Sequence, residues 1–270
     1  MKITFLGGGN MANALIGGML KQGFAAADIT VIDPGGEARD KLKQAYAVNC
    51  LETAEMLAGV GDLLVLAVKP QQMKEAVAPL VGKLGNAVVV SIAAGLDLAT
   101  LARFLGGHRK IVRCMPNTPA LIGAGITGLC PLPEVSSAEQ AAADRVLSAV
   151  GSTVWIADEG KMDGVTALSG SGPAYVFLFI EALQQAAADL GFTPEQGRQL
   201  AIETVQGAAA LAAQSTEPAA LLRERVTSKG GTTEAALRTM AEQGVKEGII
   251  AGVMAAEARG RELGKLLGAN

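Results

Sequence analysis

The sequence predicts two unlike halves: an α/β N-terminal half built on a mostly parallel sheet, then an all-α C-terminal half. Three observations carry this. Short β-rich runs alternate with helical runs through residues 1–158, a glycine triplet follows the first such run, and from residue 159 to 270 no strand pattern recurs. Strands alternating with helices of 10–15 residues imply right-handed βαβ units and a parallel sheet.

Taken in order, Lys2–Leu6 is a short β-rich run that meets Gly7-Gly8-Gly9-Asn10-Met11-Ala12, and the helical pattern that follows runs to Gln22 and stops at Gly23. Ile29–Ile32 predicts a second strand closed by Asp33-Pro34-Gly35-Gly36, with a helix over Glu37–Ala45 and a weak strand near Val48. Asp62–Val68 and Ala87–Ile92 read as buried strands with a helix, Gln71–Leu84, between them. Lys110–Met115, Ile126–Leu129 and Thr153–Ile156 add three more strands, the last two flanking a helix over Ala138–Val150. Helical runs then span Lys161–Leu190, Pro194–Ala213, Pro218–Val226, Thr232–Gln243 and Val245–Leu267. They are rich in Ala and Gly and apolar on more than one face, which predicts close helix packing against a second copy of the chain.

Composition narrows the function classes. Half of the 270 residues are hydrophobic and only 3% aromatic, so the core is mostly aliphatic. A net charge of −3 with no basic stripe argues against nucleic acid as a partner. Cys50, Cys114 and Cys130 have no CxxC spacing, so they read as small buried hydrophobes in a reducing compartment, and no metal site is implied. The N-terminal apolar run ends at Leu6, too short for a signal peptide, and Ala174–Ile180 closes at Glu181, far short of a membrane span. The expected location is the cytoplasm, with no membrane partner. His108, the single histidine, lies in a Gly-Gly-His-Arg-Lys turn and is expected to be solvated rather than a proton relay.

Gly7-x-Gly9-x-x-Ala12, directly after a strand and opening a helix, fits a Rossmann-type dinucleotide site. Glycines permit the tight turn and let the amides of Gly8, Gly9, Asn10, Met11 and Ala12 approach a pyrophosphate. Asp33 ends the second strand, where a carboxylate can accept the ribose hydroxyls of NADH and would repel the 2′-phosphate of NADPH. Gly35, Gly36 and Arg39 are suited to that phosphate, and a cap on the following helix is a further role for Asp33. Ala67-Val68-Lys69-Pro70 and Ala93-Ala94-Gly95 close two more strands, where ligands of such sheets bind. Asn117, in Met115-Pro116-Asn117-Thr118-Pro119, is placed to hydrogen-bond across the cleft, although turn chemistry alone accounts for the two prolines.

Two motifs remain in the helical half. Ser169-Gly170-Ser171-Gly172-Pro173-Ala174-Tyr175 interrupts a helical run with small residues, fitting close backbone packing as well as ligand contact. Arg225-Val226-Thr227-Ser228-Lys229-Gly230-Gly231-Thr232-Thr233-Glu234 joins two helices, and its Gly-Gly-Thr-Thr opens the second with amides and hydroxyls suited to a carboxylate. A simple cap by Thr232 or Thr233 would need neither Ser228 nor two glycines.

With these motifs the whole chain resembles the pyrroline-5-carboxylate reductases. The most specific piece is Val226–Leu237, similar to that family's signature loop, and Ser169–Tyr175, Met115–Pro119 and Ala67–Pro70 match as well. The resemblance implies hydride transfer from NADPH or NADH to the C=N carbon of 1-pyrroline-5-carboxylate, giving L-proline. It implies that Ser228, Gly230, Gly231, Thr232 and Thr233 hold the substrate carboxylate and ring nitrogen, with Thr233 on the nitrogen, and that Glu159 and Arg225 border the substrate. It also implies a homodimer and, in many relatives, rings of dimers. Lys229 departs from the proline usual in that loop, and Ala54 stands where relatives often carry an asparagine near the cofactor phosphate. A β-hydroxyacid dehydrogenase would carry a catalytic lysine after its small-residue motif, and Gly172–Phe177 offers none. A non-catalytic NAD(P)-binding scaffold would have no reason to build a carboxylate nest.

Overall fold

A computed structural model of the chain describes residues 1–268. The eight expected strands all form: β1 (Ile3–Leu6), β2 (Ile29–Ile32), β3 (Asn49–Leu51), β4 (Leu63–Leu66), β5 (Val88–Ser91), β6 (Ile111–Met115), β7 (Gly125–Pro131) and β8 (Gly151–Trp155). They make one sheet in the order β3-β2-β1-β4-β5-β6-β7-β8. Neighbours are parallel except β6 and β7. That exception has a plain cause: only the short turn Thr118–Ile122 separates β6 from β7, and a parallel return needs a crossover of a dozen residues or more.

The crossovers are α1 (Asn10–Lys21), α2 (Gly36–Tyr46), α3 (Met73–Val77), α4 (Leu98–Phe104) and α5 (Ser137–Leu147). The first ends beside Gly23, whose φ of +87° suits glycine alone, as expected. In α5 a capping box forms, Ser136 accepting from the Glu139 amide while the Glu139 carboxylate accepts from the Ser136 amide. Two corrections concern this layer. The single helix expected over Gln71–Leu84 is cut to five α-helical residues between short 3₁₀ turns at Pro70–Gln72 and Ala78–Leu80, because Pro79 brings no N–H and Gly82 takes φ +84°. The helix α4, which hydrophobic periodicity alone did not announce, starts at Asp97, whose side chain accepts from the Thr100 amide at 2.7 Å.

Both faces of the sheet are covered. Ile3, Phe5, Val31, Val65, Val90, Val112 and Leu129 pack with α1 and α5 residues on one side, and Leu6, Ile32, Leu64, Leu66, Val89 and Ile111 pack with α3 and α4 residues on the other. Cys114 and Cys130 are buried as expected, whereas Cys50 is partly exposed. His108 is not a solvated loop residue: its Nε2 lies 2.9 Å from the Ala87 carbonyl and the ring is part-buried, pinning the turn before β6 to the start of β5.

The helices continue as α6 (Met162–Val165), α7 (Gly172–Asp189), α8 (Pro194–Gln214), α9 (Ala219–Arg225), α10 (Thr232–Glu242) and α11 (Val245–Gly268). The run expected over Lys161–Leu190 is therefore segmented, with a five-residue π turn, Thr166–Gly170, between α6 and α7. The chain forms two compact units, residues 1–171 with the last part of α11 from Ala256, and residues 172–255. Glu159–Asp189 is the one helical stretch among the described residues long and apolar enough to cross a bilayer by length and composition.

Candidate active site

In the first unit, the sequence-predicted cofactor residues gather at the C-terminal ends of β1, β2, β4 and β5. Gly7 takes φ +101°, its amide donates to Ile32 O at 2.8 Å, and an added Cβ would lie 2.7 Å from Ala67 O. The glycine turn and the Ala67–Pro70 turn are thus in direct contact, and only glycine fits between them. A Cβ on Gly8 would meet Leu42 at 2.9 Å, whereas one on Gly9 would meet nothing within 4 Å. Gly9 is also the N-cap of α1 and no side chain caps that helix. The first intrahelical bond in this turn runs from the Asn13 amide to Gly9 O, so the amides of Asn10, Met11 and Ala12 have no helical acceptor. Open space above unpaired helix-terminal amides is what a pyrophosphate needs.

Asp33 joins the same ensemble. Its Oδ2 accepts from the Gly8 amide at 2.7 Å and its Oδ1 from the Gly35 amide at 2.8 Å. It therefore ties the glycine turn to the β2–α2 turn, and it does not cap α2, whose N-cap is Gly35. Arg39 donates to Asp33 O at 2.6 Å and pairs with Glu52 at 3.3 Å. A cavity of about 290 Å³ opens beside these groups, lined by Gly8, Gly9, Asn10, Asn13, Glu37, Ala38, Lys41 and Leu42. Asn13, Glu37 and Lys41 are site candidates that the motif pattern missed, since they lie within α1 and α2 rather than at the strand ends. Ala54, by contrast, is buried in the core.

Further along the sheet edge, Ala93 is buried, Ala94 exposed and Gly95 partly exposed, with Gly95 at φ +79°. Val68 is half-buried and Lys69 exposed. Asn117 is buried, and its amide group clasps the turn after β6: Oδ1 accepts from the Ile126 amide at 2.9 Å and Nδ2 donates to Ser169 O at 3.2 Å. Gly170 lets the π turn close on Met115, whose Cε would be 2.7 Å from an added Cβ, which is the close-packing role for this motif.

Glu159 also lies in this unit. Its Oε1 accepts from the Leu98 amide at 2.6 Å and pairs with Arg113 at 3.2 Å, and Arg113 reaches Asp163 at 3.0 Å. Residue-type patterning missed Arg113, since an arginine inside an apolar strand carries no local signature. Beside it, burial pushes the Cys130 thiol up from its ordinary value, Glu159 adds to the rise, and Arg113 opposes it.

In the second unit, the turn between α9 and α10 carries the remaining candidates. Gly230 takes φ +72° and its amide donates to Glu234 at 2.7 Å, and the Gly231 amide donates to Ser228 O at 2.9 Å. Gly231 is the N-cap of α10, with no side-chain cap, so neither Thr232 nor Thr233 serves as one. Thr232 and Ser228 are exposed and Thr233 partly so. Their hydroxyls and the first amides of an 11-residue helix are thereby available to an anion. Arg225 is held by Glu217 and Lys229 is exposed. A groove of about 700 Å³ runs alongside, lined by residues such as Thr227, Glu234, Leu237 and Ile249.

Known proteins are similar to this chain along nearly its whole length. A family model described as pyrroline-5-carboxylate reductase dimerisation matches residues 159–263, and one described as NADP oxidoreductase, coenzyme F420-dependent, matches residues 2–95. The chain is 44% identical over 270 residues to a pyrroline-5-carboxylate reductase of Pseudomonas aeruginosa, covering 99% of this chain and 98% of that one. Among solved structures, a pyrroline-5-carboxylate reductase from Coxiella burnetii superposes with a TM-score of 0.92 at 38% identity, covering 97% of this chain and 98% of that one. The Plasmodium falciparum pyrroline carboxylate reductase, solved with NADP bound, has a TM-score of 0.86 at 30% identity and covers 98% of each chain.

Proposed function

The chain belongs to the pyrroline-5-carboxylate reductase family, and from that membership we propose that it reduces 1-pyrroline-5-carboxylate to L-proline. It is an oxidoreductase acting on a C=N bond, with NADPH or NADH as hydride donor. The observation that carries this is the Ser228–Thr233 turn, a glycine-opened helix N-terminus that leaves hydroxyls and amides for a small carboxylate.

The work divides between the two units. The nicotinamide supplies the hydride when the cofactor is bound. Gly9 and the amides of Asn10, Met11 and Ala12 hold the pyrophosphate, on the turn that Gly7 and Gly8 shape. Asp33 orients the ribose; Ala67, Val68, Lys69 and Pro70, with Ala93, Ala94, Gly95 and Asn117, line the nicotinamide side. Ser228, Gly230, Gly231 and Thr232 bind the substrate carboxylate, and the family resemblance adds Glu159 and Arg225 to the substrate residues. Thr233 hydrogen-bonds the ring nitrogen. A cyclic imine is readily protonated, so orientation is the chief demand on the protein and no strong general acid is needed.

Asp33 already holds two backbone amides, and Arg39 is engaged with Asp33 O and Glu52, so neither cofactor is strongly refused or strongly selected. Turnover with both NADH and NADPH follows. The reaction is the closing step of proline biosynthesis, carried out in the cytoplasm by a homodimer or a ring of dimers. Steady-state oxidation of each cofactor, with and without 1-pyrroline-5-carboxylate, tests the assignment. Substrate-dependent oxidation with proline as product supports it, and oxidation no faster than the blank overturns it.

A further inference from the structure

We infer that Arg113 is a positioning residue for hydride transfer, acting through Glu159 on the Ala93–Gly95 turn; this rests on the functional assignment above. Arg113 lies within β6, and its side chain is only 8% exposed. A guanidinium so far from water is tolerated only when its donors are matched. Here Nη1 meets Glu159 Oε1 at 3.2 Å and Nη2 meets Asp163 Oδ1 at 3.0 Å. Both partners come from the segment that leaves the sheet after β8, so one side chain fastens that segment to β6.

The same Glu159 oxygen reaches further. At 2.6 Å it accepts from the amide of Leu98, the first residue of α4, next to the helix cap at Asp97. Ala93, Ala94 and Gly95 follow β5 and are joined to that helix by Leu96 and the cap Asp97 alone. On its other side, the last part of α11 closes on the turn: a Cβ added at Gly264 would lie 3.1 Å from Gly95 O, and one added at Gly95 would lie 3.0 Å from Leu267. Asp163, the second partner of Arg113, lies 3.6 Å from a Cβ built on Gly260 of that helix. The candidate nicotinamide-side turn is therefore gripped between the Arg113 cluster and the C-terminal helix, and Arg113 is the group that links Glu159 to the sheet. Two residues beyond Arg113, β6 runs into the Met115–Pro119 turn with Asn117, so a shift of the guanidinium is felt on both nicotinamide-side turns.

Arg113→Lys keeps the charge but cannot hold two carboxylates with a planar fork. In the full-length protein, kcat and KM for 1-pyrroline-5-carboxylate are measured beside the primary deuterium isotope effect from cofactor labelled at the transferred position. The Kd of NADPH is compared with that of 2′-phospho-ADP-ribose, which lacks the nicotinamide. The inference predicts a fall in kcat of roughly tenfold or more at nearly constant KM, a larger isotope effect, weaker NADPH binding, and fragment affinity held within about twofold. An unchanged kcat and isotope effect would overturn it, as would equal losses for fragment and whole cofactor, which mark a general loss of fold. Should Arg113→Lys fold poorly, Asp163→Asn removes one partner only and is expected to give the same pattern more weakly. Absence of pyrroline-5-carboxylate reduction by the unaltered protein would sink the functional assignment instead, and the comparison of fragment with whole cofactor would still decide Arg113.

Discussion

In residues 1–171 every strand of the sheet contributes to a core sealed on both faces except β3 and β8 at its edges, and side chains as large as Phe5, Ile16 and Met73 are wholly buried. Residues 172–255 are as well formed locally but bury only Ala187, Gly197 and Ala201. Their large apolar side chains face outward, with Phe177 at 64% exposure, Ile249 at 58% and Met254 at 61%. The two regions thus solve burial differently. The sheet supplies its own second layer, whereas the helices leave large apolar side chains exposed. Each large side chain left out forgoes about 1.5–3 kcal/mol of burial, so such a surface is retained only where a partner restores it. The match of residues 159–263 to a dimerisation family identifies that partner as a second copy.

The contrast can be broken most severely at the helices. Phe177→Asp places a charge on the uncovered face, and a symmetric interface meets the change twice. Loss of roughly 4 kcal/mol or more of association is expected, enough to leave monomers at assay concentrations, with reduction abolished and dinucleotide binding retained. Sedimentation and NADPH titration on one sample check both halves of that statement. Gly7→Ala is the mirror experiment on the sheet side. Its φ of +101° and the 2.7 Å approach to Ala67 O predict about 1–3 kcal/mol of strain, and so roughly tenfold weaker dinucleotide binding in a protein that still dimerises. A dimer that falls apart on this change would mean the regions are less independent than they look.

Smaller changes sharpen the division of labour. Thr233→Ala removes one neutral hydrogen bond and should cost about 0.5–1.5 kcal/mol in kcat/KM for the imine while the cofactor Kd stays put. Wild-type kinetics would remove Thr233 from the site. Asp33→Ser should move the ratio of kcat/KM several-fold toward NADPH, on the order of 1 kcal/mol, because a carboxylate beside the 2′-phosphate is gone. An unchanged ratio would leave Asp33 the purely structural task of joining the Gly8 and Gly35 amides.

Much of this was legible in residues alone, unevenly. Seven of the eight strands announced themselves because buried strands are short, aliphatic and bounded by glycine or proline, whereas the partly exposed β3 at Asn49–Leu51 gave only a weak signal near Val48. The glycine turn and Asp33 were legible because their spacing is set by backbone geometry. The failures have physical causes. Periodicity over Gln71–Leu84 is helical, but Pro79 and Gly82 act on the backbone and break it regardless of the apolar pattern. The π turn at Thr166–Gly170 leaves no trace in a period of 3.6 residues. The partners of His108 and Arg113 lie 21 and 46 or more positions away, so their burial depends on topology rather than on neighbours in sequence. Thr232 and Thr233 offered themselves as caps, yet Gly231 fills that position and frees both hydroxyls, a distinction only backbone torsions reveal.

The exposed helical faces predict that imine reduction depends on the dimer. Light scattering and pyrroline-5-carboxylate reduction, followed together through a dilution series with NADPH binding measured at each step, test it most directly. Activity per chain should fall in step with the dimer fraction while dinucleotide binding persists to the lowest concentration; a monomer that reduces the imine at the full rate would rule that dependence out.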